Sequence, residues 1–145
     1  GILIYLNQTP IDWHCKKQST VACATFGSEF VAAKTATEKA YNLRYTLRMM
    51  GIPVDYHTYM FGNNAAIITQ STIPHLQLGK QRNALAYHFT REAIATGMIL
   101  MFHIAGIDNP ADCMSKFFGY QEWFCILCPV LFWQGNTATI PTKGE

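Results

Sequence analysis

The sequence has few charged residues and no tract of low complexity. Lys and Arg total 11 and Asp and Glu total 9 among 145 residues, which gives a formal net charge of +2. A charge this small excludes a strong global attraction for nucleic acid, so any such binding must come from local basic groups. Half of the residues are hydrophobic. That composition excludes a disordered chain and fits one compact domain.

The sequence also lacks a membrane-spanning run and a secretory leader. The apolar segment 124–133 is too short to cross a bilayer and contains Pro129. Residues 1–7 have neither a basic start nor a cleavage site. The five cysteines are an odd number, which favours a reduced intracellular protein. Cys125 and Cys128 form a C-x-x-C pair, but no second pair stands at zinc-ligand spacing, so packed thiols are favoured over a zinc site.

Hydrophobic periodicity predicts an α/β domain in which strands alternate with helices. That alternation implies a mixed sheet covered by helices. An apolar strand already opens the chain at Ile2, so we expect a further segment upstream. Strands are predicted at 2–6, 11–15, 57–61 and 98–104, and helices at 29–50, 65–70, 82–96 and from Pro110 onwards.

Capping residues predict where these helices begin and end. Ser28 is expected to be the N-cap of the first long helix, which places Glu29 in its first turn. Asp108 or Asn109 is expected to cap the helix that begins at Pro110. Gly51 and Gly97 are expected to end helices. Apolar spacing predicts that Leu85, Phe89 and Ala93 form the inward face of the second long helix. His103 is expected to be a core histidine.

Three residues with carboxylate or amide side chains lie where a predicted strand ends or a helix begins: Glu29, Asn63 and Asp112. A sheet that gathers neighbouring strand ends would bring them together. Converging carboxylates suit two-metal phosphodiester hydrolysis, in which two Mg²⁺ ions about 4 Å apart need several anionic oxygens. A plainer interpretation also fits, because the helix dipole favours acids near helix starts and Asn63 suits a turn.

Several short segments resemble the ribonuclease H region at the carboxy-terminal end of copia-type retrotransposon polyproteins. The resemblance implies a ribonuclease-H-like α/β fold, with a mixed central sheet flanked by helices and a first strand that precedes Gly1. It predicts a domain at 1–135 and a tail at 136–145. The segments cover nearly the whole chain in the order of the family: 13–18 (WHCKKQ), 21–32 (VACATFGSEFVA), 60–64 (MFGNN), 75–92, 109–116 (NPADCMSK) and 131–136 (LFWQGN).

The same resemblance implies removal of RNA from RNA–DNA hybrids, by four acids that hold Mg²⁺ or Mn²⁺. Glu29 matches the second acid and Asp112 the last. Asn63 stands where the family has an aspartate, and the first acid belongs to the strand before Gly1. An amide has the shape of a carboxylate without its charge. We therefore expect weak or absent metal binding and a catalytically defective domain.

The resemblance also implies partners: an RNA–DNA hybrid and the reverse transcriptase domain upstream in the same polyprotein, within a cytoplasmic virus-like particle or the nucleus. The alternative function is a non-catalytic module that binds nucleic acid or packs against the reverse transcriptase. The aromatic residues of 117–124 are assigned to core or interdomain packing rather than to base stacking. Cations that neutralise phosphates are candidates for nucleic-acid contacts, although scattered surface lysines are common: Lys16, Lys17, Lys80, Arg82 and Lys116.

Overall fold

A computed structural model of this chain describes residues 1–16, 25–73 and 84–131. These residues form an α/β protein with four strands and four α-helices. The strands pair two by two, so the described residues do not contain the single mixed sheet that was expected. No third strand among these residues forms hydrogen bonds with either pair. The chain divides into two compact units, which comprise 1–16 with 105–131 and 25–73 with 84–104 of the described residues.

The first unit opens with an antiparallel hairpin. Its strands are β1 (Ile2–Leu6) and β2 (Thr9–His14). Asn7 has a φ of 57° in the connecting turn, a left-handed conformation that asparagine adopts more readily than most residues. The thiol of Cys15 donates to the carbonyl oxygen of Met114 at 3.0 Å, which ties the end of the hairpin to the helical part of the unit.

Beyond the hairpin, the described part of the first unit contains two short 3₁₀ helices and one α-helix. Asn109 caps a 3₁₀ helix at Pro110–Met114, and its side chain accepts a backbone N–H at 3.1 Å. Proline suits the first position because its missing N–H needs no partner there. The predicted cap is therefore confirmed, although the helix has the tighter 3₁₀ form. A longer helix spans Tyr120–Leu131. It is the last helix of the described residues and is called α4 below.

In the second unit, α1 (Thr25–Met49) is the longest element. It begins before Ser28, so the prediction that Ser28 is the N-cap is wrong, and Glu29 lies beyond the first turn. The physical reason is packing, because Gly27 is buried and burial overrides the poor helix propensity of glycine. Gly51 has a φ of 77° and follows the end of the helix as predicted.

A parallel pair of strands follows α1. β3 (Thr58–Gly62) lies beside β4 (Ile99–His103), in register along their whole length. Parallel strands need a crossover connection, and the described part of it contains α2 (Ala65–Thr72) and α3 (Ala84–Ala95). Gly97, with a φ of 71°, follows α3 as predicted.

Two small clusters form the core of the second unit. The first joins α1, α2 and α3, and in it the rings of Phe30 and Tyr87 meet edge to face with centroids 5.7 Å apart. The second joins α1, α3 and β4. Their buried members are Phe30, Ile67, Ala86 and Tyr87 in the first cluster and Ala40, Ala93 and Ile99 in the second.

Two predicted core residues are exposed. Leu85 is 85% exposed, because α3 turns Ala86, Tyr87, Thr90 and Ala93 inward instead. His103 is also exposed. It is the last residue of β4 and stands opposite Gly62, which has no side chain to cover it. The prediction of a core histidine is therefore wrong.

The face of the parallel pair opposite the core carries aromatic rings. Tyr59 and Phe61 are each 60% exposed, and Phe102 is 43% exposed. The ring of Phe102 lies 5.9 Å from that of Tyr59 and 5.8 Å from that of Phe61, measured between centroids. Parallel sheets are usually covered on both faces. Rings this exposed on one face of a parallel pair of strands are therefore unusual.

Candidate functional site

Glu29 lies on α1 and reaches the carboxyl end of β3. Its side chain is half-buried, and its Oε2 accepts a hydrogen bond from Nδ2 of Asn64. Because α1 has no acid in its first turn, the interpretation of Glu29 as an acid held there by the helix dipole is wrong. A specific side-chain partner holds this carboxylate instead.

Asn64 is the N-cap of α2 as well as the partner of Glu29. Its Oδ1 accepts from the backbone N–H groups of Ala66 at 2.9 Å and Ile67 at 3.3 Å, which otherwise lack partners at a helix start. The sequence motifs place this residue only at a strand end and do not indicate its role. An asparagine directly before a predicted apolar helix is the signal that would have found it.

Asn63, which the resemblance matches to an aspartate, is exposed between Gly62 and Asn64. It therefore lies next in sequence to the residue that binds Glu29, at the end of β3. An amide there contributes no negative charge. The carboxylate of Glu29 thus faces the amide of Asn64, and the adjacent residue 63 adds no negative charge.

Asp112 belongs to the first unit and is 8% exposed. Its Oδ2 forms an ion pair with Nζ of Lys116 at 2.6 Å, and its backbone carbonyl accepts from the N–H groups of Ser115 and Lys116. Burial and the negative charge of Asp112 together raise the pKa of the neighbouring Cys113 thiol. Because Glu29 and Asp112 lie in different units, their convergence stays a prediction.

The predicted nucleic-acid residues have different surroundings. Lys16 is exposed, whereas Lys116 is committed to Asp112. Lys17, Lys80 and Arg82 lie outside the described residues. The prediction that these side chains contact a hybrid therefore stays a prediction, and it is weakest for Lys116, whose charge a carboxylate already neutralises.

The two carboxylates that the sequence predicts as metal ligands both have side-chain partners. Glu29 binds the amide of Asn64 and Asp112 binds the ammonium of Lys116. Within 1–16, 25–73 and 84–131, no group of three or more His, Cys, Asp or Glu side chains is placed to hold a metal ion. Two dications need several anionic oxygens in one place. Weak or absent metal binding therefore stays a prediction.

An aromatic cavity of 420 Å³ in the first unit is lined by Lys116 and four rings. Phe117 is fully exposed and Tyr120 is 81% exposed, while Tyr120 stacks on Phe124 with centroids 6.3 Å apart. The prediction that the aromatic residues of 117–124 pack in the core is therefore wrong for Phe117 and Tyr120. Their packing against another domain stays a prediction. The C-x-x-C thiols, Cys125 and Cys128, are half-buried on α4.

Among the helices of the described ranges, none combines the length and the apolarity that a bilayer crossing requires. Comparison with family models gives no match, and no solved structure matches this chain.

Curated proteins do match. The chain is 24% identical over 116 residues to the retrovirus-related Pol polyprotein from transposon RE2 of Arabidopsis thaliana, a match that covers 80% of the chain and 8% of that protein. The corresponding RE1 polyprotein of Arabidopsis thaliana is 23% identical over the same shares. The polyprotein from transposon TNT 1-94 of Nicotiana tabacum is 25% identical over 117 residues, which are 80% of the chain and 9% of that protein.

The homologues of this chain are thus retrovirus-related Pol polyproteins of copia-type transposons, as the sequence motifs indicate. The chain spans 8% to 9% of the length of these relatives. It therefore corresponds to one small part of each of these polyproteins.

Proposed function

We propose that this chain is a ribonuclease-H-like domain of a copia-type Pol polyprotein, and that it does not cleave RNA–DNA hybrids by itself because its metal site is incomplete. The observation that carries this proposal is the position of Glu29. The side chain of Glu29 reaches the end of β3 and binds Asn64. The neighbouring residue, Asn63, has an amide where the family has a carboxylate.

The charge of the site supports the proposed loss of activity. Two-metal hydrolysis relies on anionic ligands that hold two dications against their mutual repulsion. Asn63 contributes no charge, and Lys116 places a cation against the other matching acid. Each ~1.4 kcal/mol of lost transition-state stabilisation slows a reaction tenfold, so the loss of one ligand charge is enough for a large defect.

A metal titration tests the charge argument. We expect calorimetry with Mn²⁺ to give no saturable heat for the natural chain and a measurable one for Asn63→Asp, which restores the family carboxylate. The double variant Asn63→Asp/Glu29→Gln should lose that heat again. Asn42→Asp is the matched control, because it adds the same charge at an exposed position of α1. Equal Mn²⁺ binding by both aspartate variants would contradict a specific site.

A cleavage assay tests the activity claim separately. The substrate is an end-labelled RNA annealed to DNA, with Mg²⁺ or Mn²⁺ in excess. We expect no cleavage by the natural chain. Robust cleavage that Glu29→Gln and Asp112→Asn both abolish would overturn the claim of inactivity but support the nuclease ancestry. Cleavage that neither substitution changes would come from another nuclease in the preparation.

A second candidate function is packing against another part of the polyprotein. The exposed aromatic face of Tyr59, Phe61 and Phe102 favours it, because contiguous apolar patches mark interaction surfaces. Neither β3 nor β4 contains Lys or Arg, so this face suits a protein better than a phosphate backbone. Mixing the chain with the reverse transcriptase segment of the same polyprotein should give a complex that survives high salt. Binding of the chain to an RNA–DNA hybrid, with an affinity that falls steeply as the salt concentration rises, would favour nucleic-acid binding instead.

A further inference from the structure

We propose that Asn64 is a positioning residue for Glu29, and that their hydrogen bond, rather than a metal ion, fixes the junction between α1 and the start of α2. This proposal concerns how the carboxylate is held, so it stands independently of whether the chain cleaves RNA. It gives Glu29 a role that needs no metal ion.

The orientation of the Asn64 amide is set by the helix that it caps. Its Oδ1 accepts two backbone N–H groups, from Ala66 and Ile67. A flipped amide would point its own N–H groups at these donors, which is unfavourable. The Nδ2 must therefore point away from α2, and in that direction it meets Oε2 of Glu29.

The bond lies beside the packing of the two helices. Phe30, the residue after Glu29, is fully buried, and Ile67, one of the capped residues, is 4% exposed in the same cluster. A half-buried carboxylate that accepts from an amide forms a charge-assisted hydrogen bond, which is stronger than a neutral one. The apolar contact and the polar contact therefore hold α1 and α2 together at the same place.

Variants at Glu29 separate this positioning role from metal binding. Glu29→Gln keeps a carbonyl oxygen that accepts from Asn64 but removes the charge that a metal ligand needs. Glu29→Ala removes both. We expect the melting temperature to fall by about 4 °C in Glu29→Ala and by at most about 1 °C in Glu29→Gln, since such a bond is a small part of domain stability. Glu38→Gln, at an exposed acid of the same helix, controls for loss of charge.

A swapped pair gives the sharpest test. Asn64→Asp keeps the cap, because aspartate is an equally good N-cap, but it loses the donor and faces Glu29 with a second carboxylate. We expect it to melt at least about 4 °C lower than the natural chain, on the same stability scale. In Glu29→Gln/Asn64→Asp the donor and acceptor are exchanged, with the Gln amide donating to the Asp oxygen. We expect this double variant to recover most of the lost stability.

A spectroscopic measurement reports the bond directly. The side-chain amide of Asn64 should give two widely separated proton resonances by NMR. Their chemical shifts should move towards those of a solvent-exposed amide in Glu29→Ala but not in Glu29→Gln. Addition of EDTA or Mg²⁺ should change neither the resonances nor the melting temperature. Three results would overturn the proposal: Glu29→Gln as unstable as Glu29→Ala, no recovery in the swapped pair, or stabilisation by Mg²⁺ that Glu29→Gln abolishes.

Discussion

Nζ of Lys116 lies 2.6 Å from Oδ2 of Asp112, and the two side chains differ in exposure, at 56% for the lysine and 12% for the aspartate. Loss of the lysine would leave a mostly buried carboxylate without its cation, which is costly. We expect Lys116→Met to lower the free energy of unfolding by about 1 kcal/mol, a value reduced for the exposure of the lysine. Urea denaturation measures it.

The matched control for that pair is on α1. Lys34 and Glu38 form an ion pair of the same spacing at 3.0 Å, but both side chains are well exposed. Lys34→Met should therefore cost at most about 0.5 kcal/mol. Equal losses at both positions would show that burial of Asp112 adds nothing to its ion pair.

The interior of the second unit rests on Phe30. This ring is fully buried and meets Tyr87 edge to face. Phe30→Ala should lower the free energy of unfolding by about 3–4 kcal/mol, because it removes a large buried side chain and leaves a cavity. Leu85→Ala is the control, and at 85% exposure it should cost under about 0.5 kcal/mol. Both values come from chemical denaturation, and a large loss for Leu85→Ala would place that residue in a core.

Arg44 joins α1 to the segment that leads into β3. Its guanidinium donates to the carbonyl oxygen of Tyr56 at 2.6 Å, to that of Val54 at 3.2 Å and to Oγ1 of Thr58 at 3.2 Å. A lysine ammonium cannot reproduce this planar fork. We expect Arg44→Lys to cost about 1–2 kcal/mol in the free energy of unfolding.

Arg48 supplies the comparison, since its guanidinium donates to the carbonyl oxygen of Val54 at the longer distance of 3.4 Å. Arg48→Lys should cost under about 0.5 kcal/mol. Hydrogen exchange should locate the effect of Arg44→Lys in the amides of 52–58. Uniformly faster exchange over the whole unit would argue against a local role for the guanidinium.

Two glycines at helix ends test the cost of a left-handed backbone. Gly51 and Gly97 have φ values of 77° and 71°. A methyl group at Gly51 would meet nothing within 4 Å, whereas one at Gly97 would lie 3.4 Å from Cε1 of His57. Gly51→Ala should therefore cost about 1 kcal/mol from backbone strain alone. Gly97→Ala should cost about the same, because 3.4 Å is ordinary van der Waals contact. A much larger loss at Gly97 in thermal denaturation would contradict this reasoning.

Much of the fold is predictable because its signals are local. The first strand, the two glycine helix ends and the Asn109 cap each depend on a few adjacent residues, and each is found where expected. The start of α1 was misplaced because burial of Gly27, a tertiary effect, extends the helix. Leu85 was misplaced because the apolar pattern of α3 does not fix which of two adjacent positions turns inward.

The candidate site was less predictable than the fold. The motifs single out Glu29, and the ion pair of Asp112 with Lys116 has the local spacing of one helical turn. The partner of Glu29, however, is 35 residues away in sequence, and no local pattern pairs two such side chains. Only the packing of α1 on α2 brings the amide of Asn64 to the carboxylate.

The aromatic face of β3 and β4 affects how the isolated chain behaves in solution. Three solvent-exposed aromatic rings, on strands without Lys or Arg, favour self-association as the protein concentration rises. The purified chain should bind a fluorescent apolar dye while still folded, and its solubility should be limited. Phe61→Lys should weaken dye binding and raise the concentration at which precipitation begins, without lowering the unfolding midpoint, because the ring is already 60% exposed.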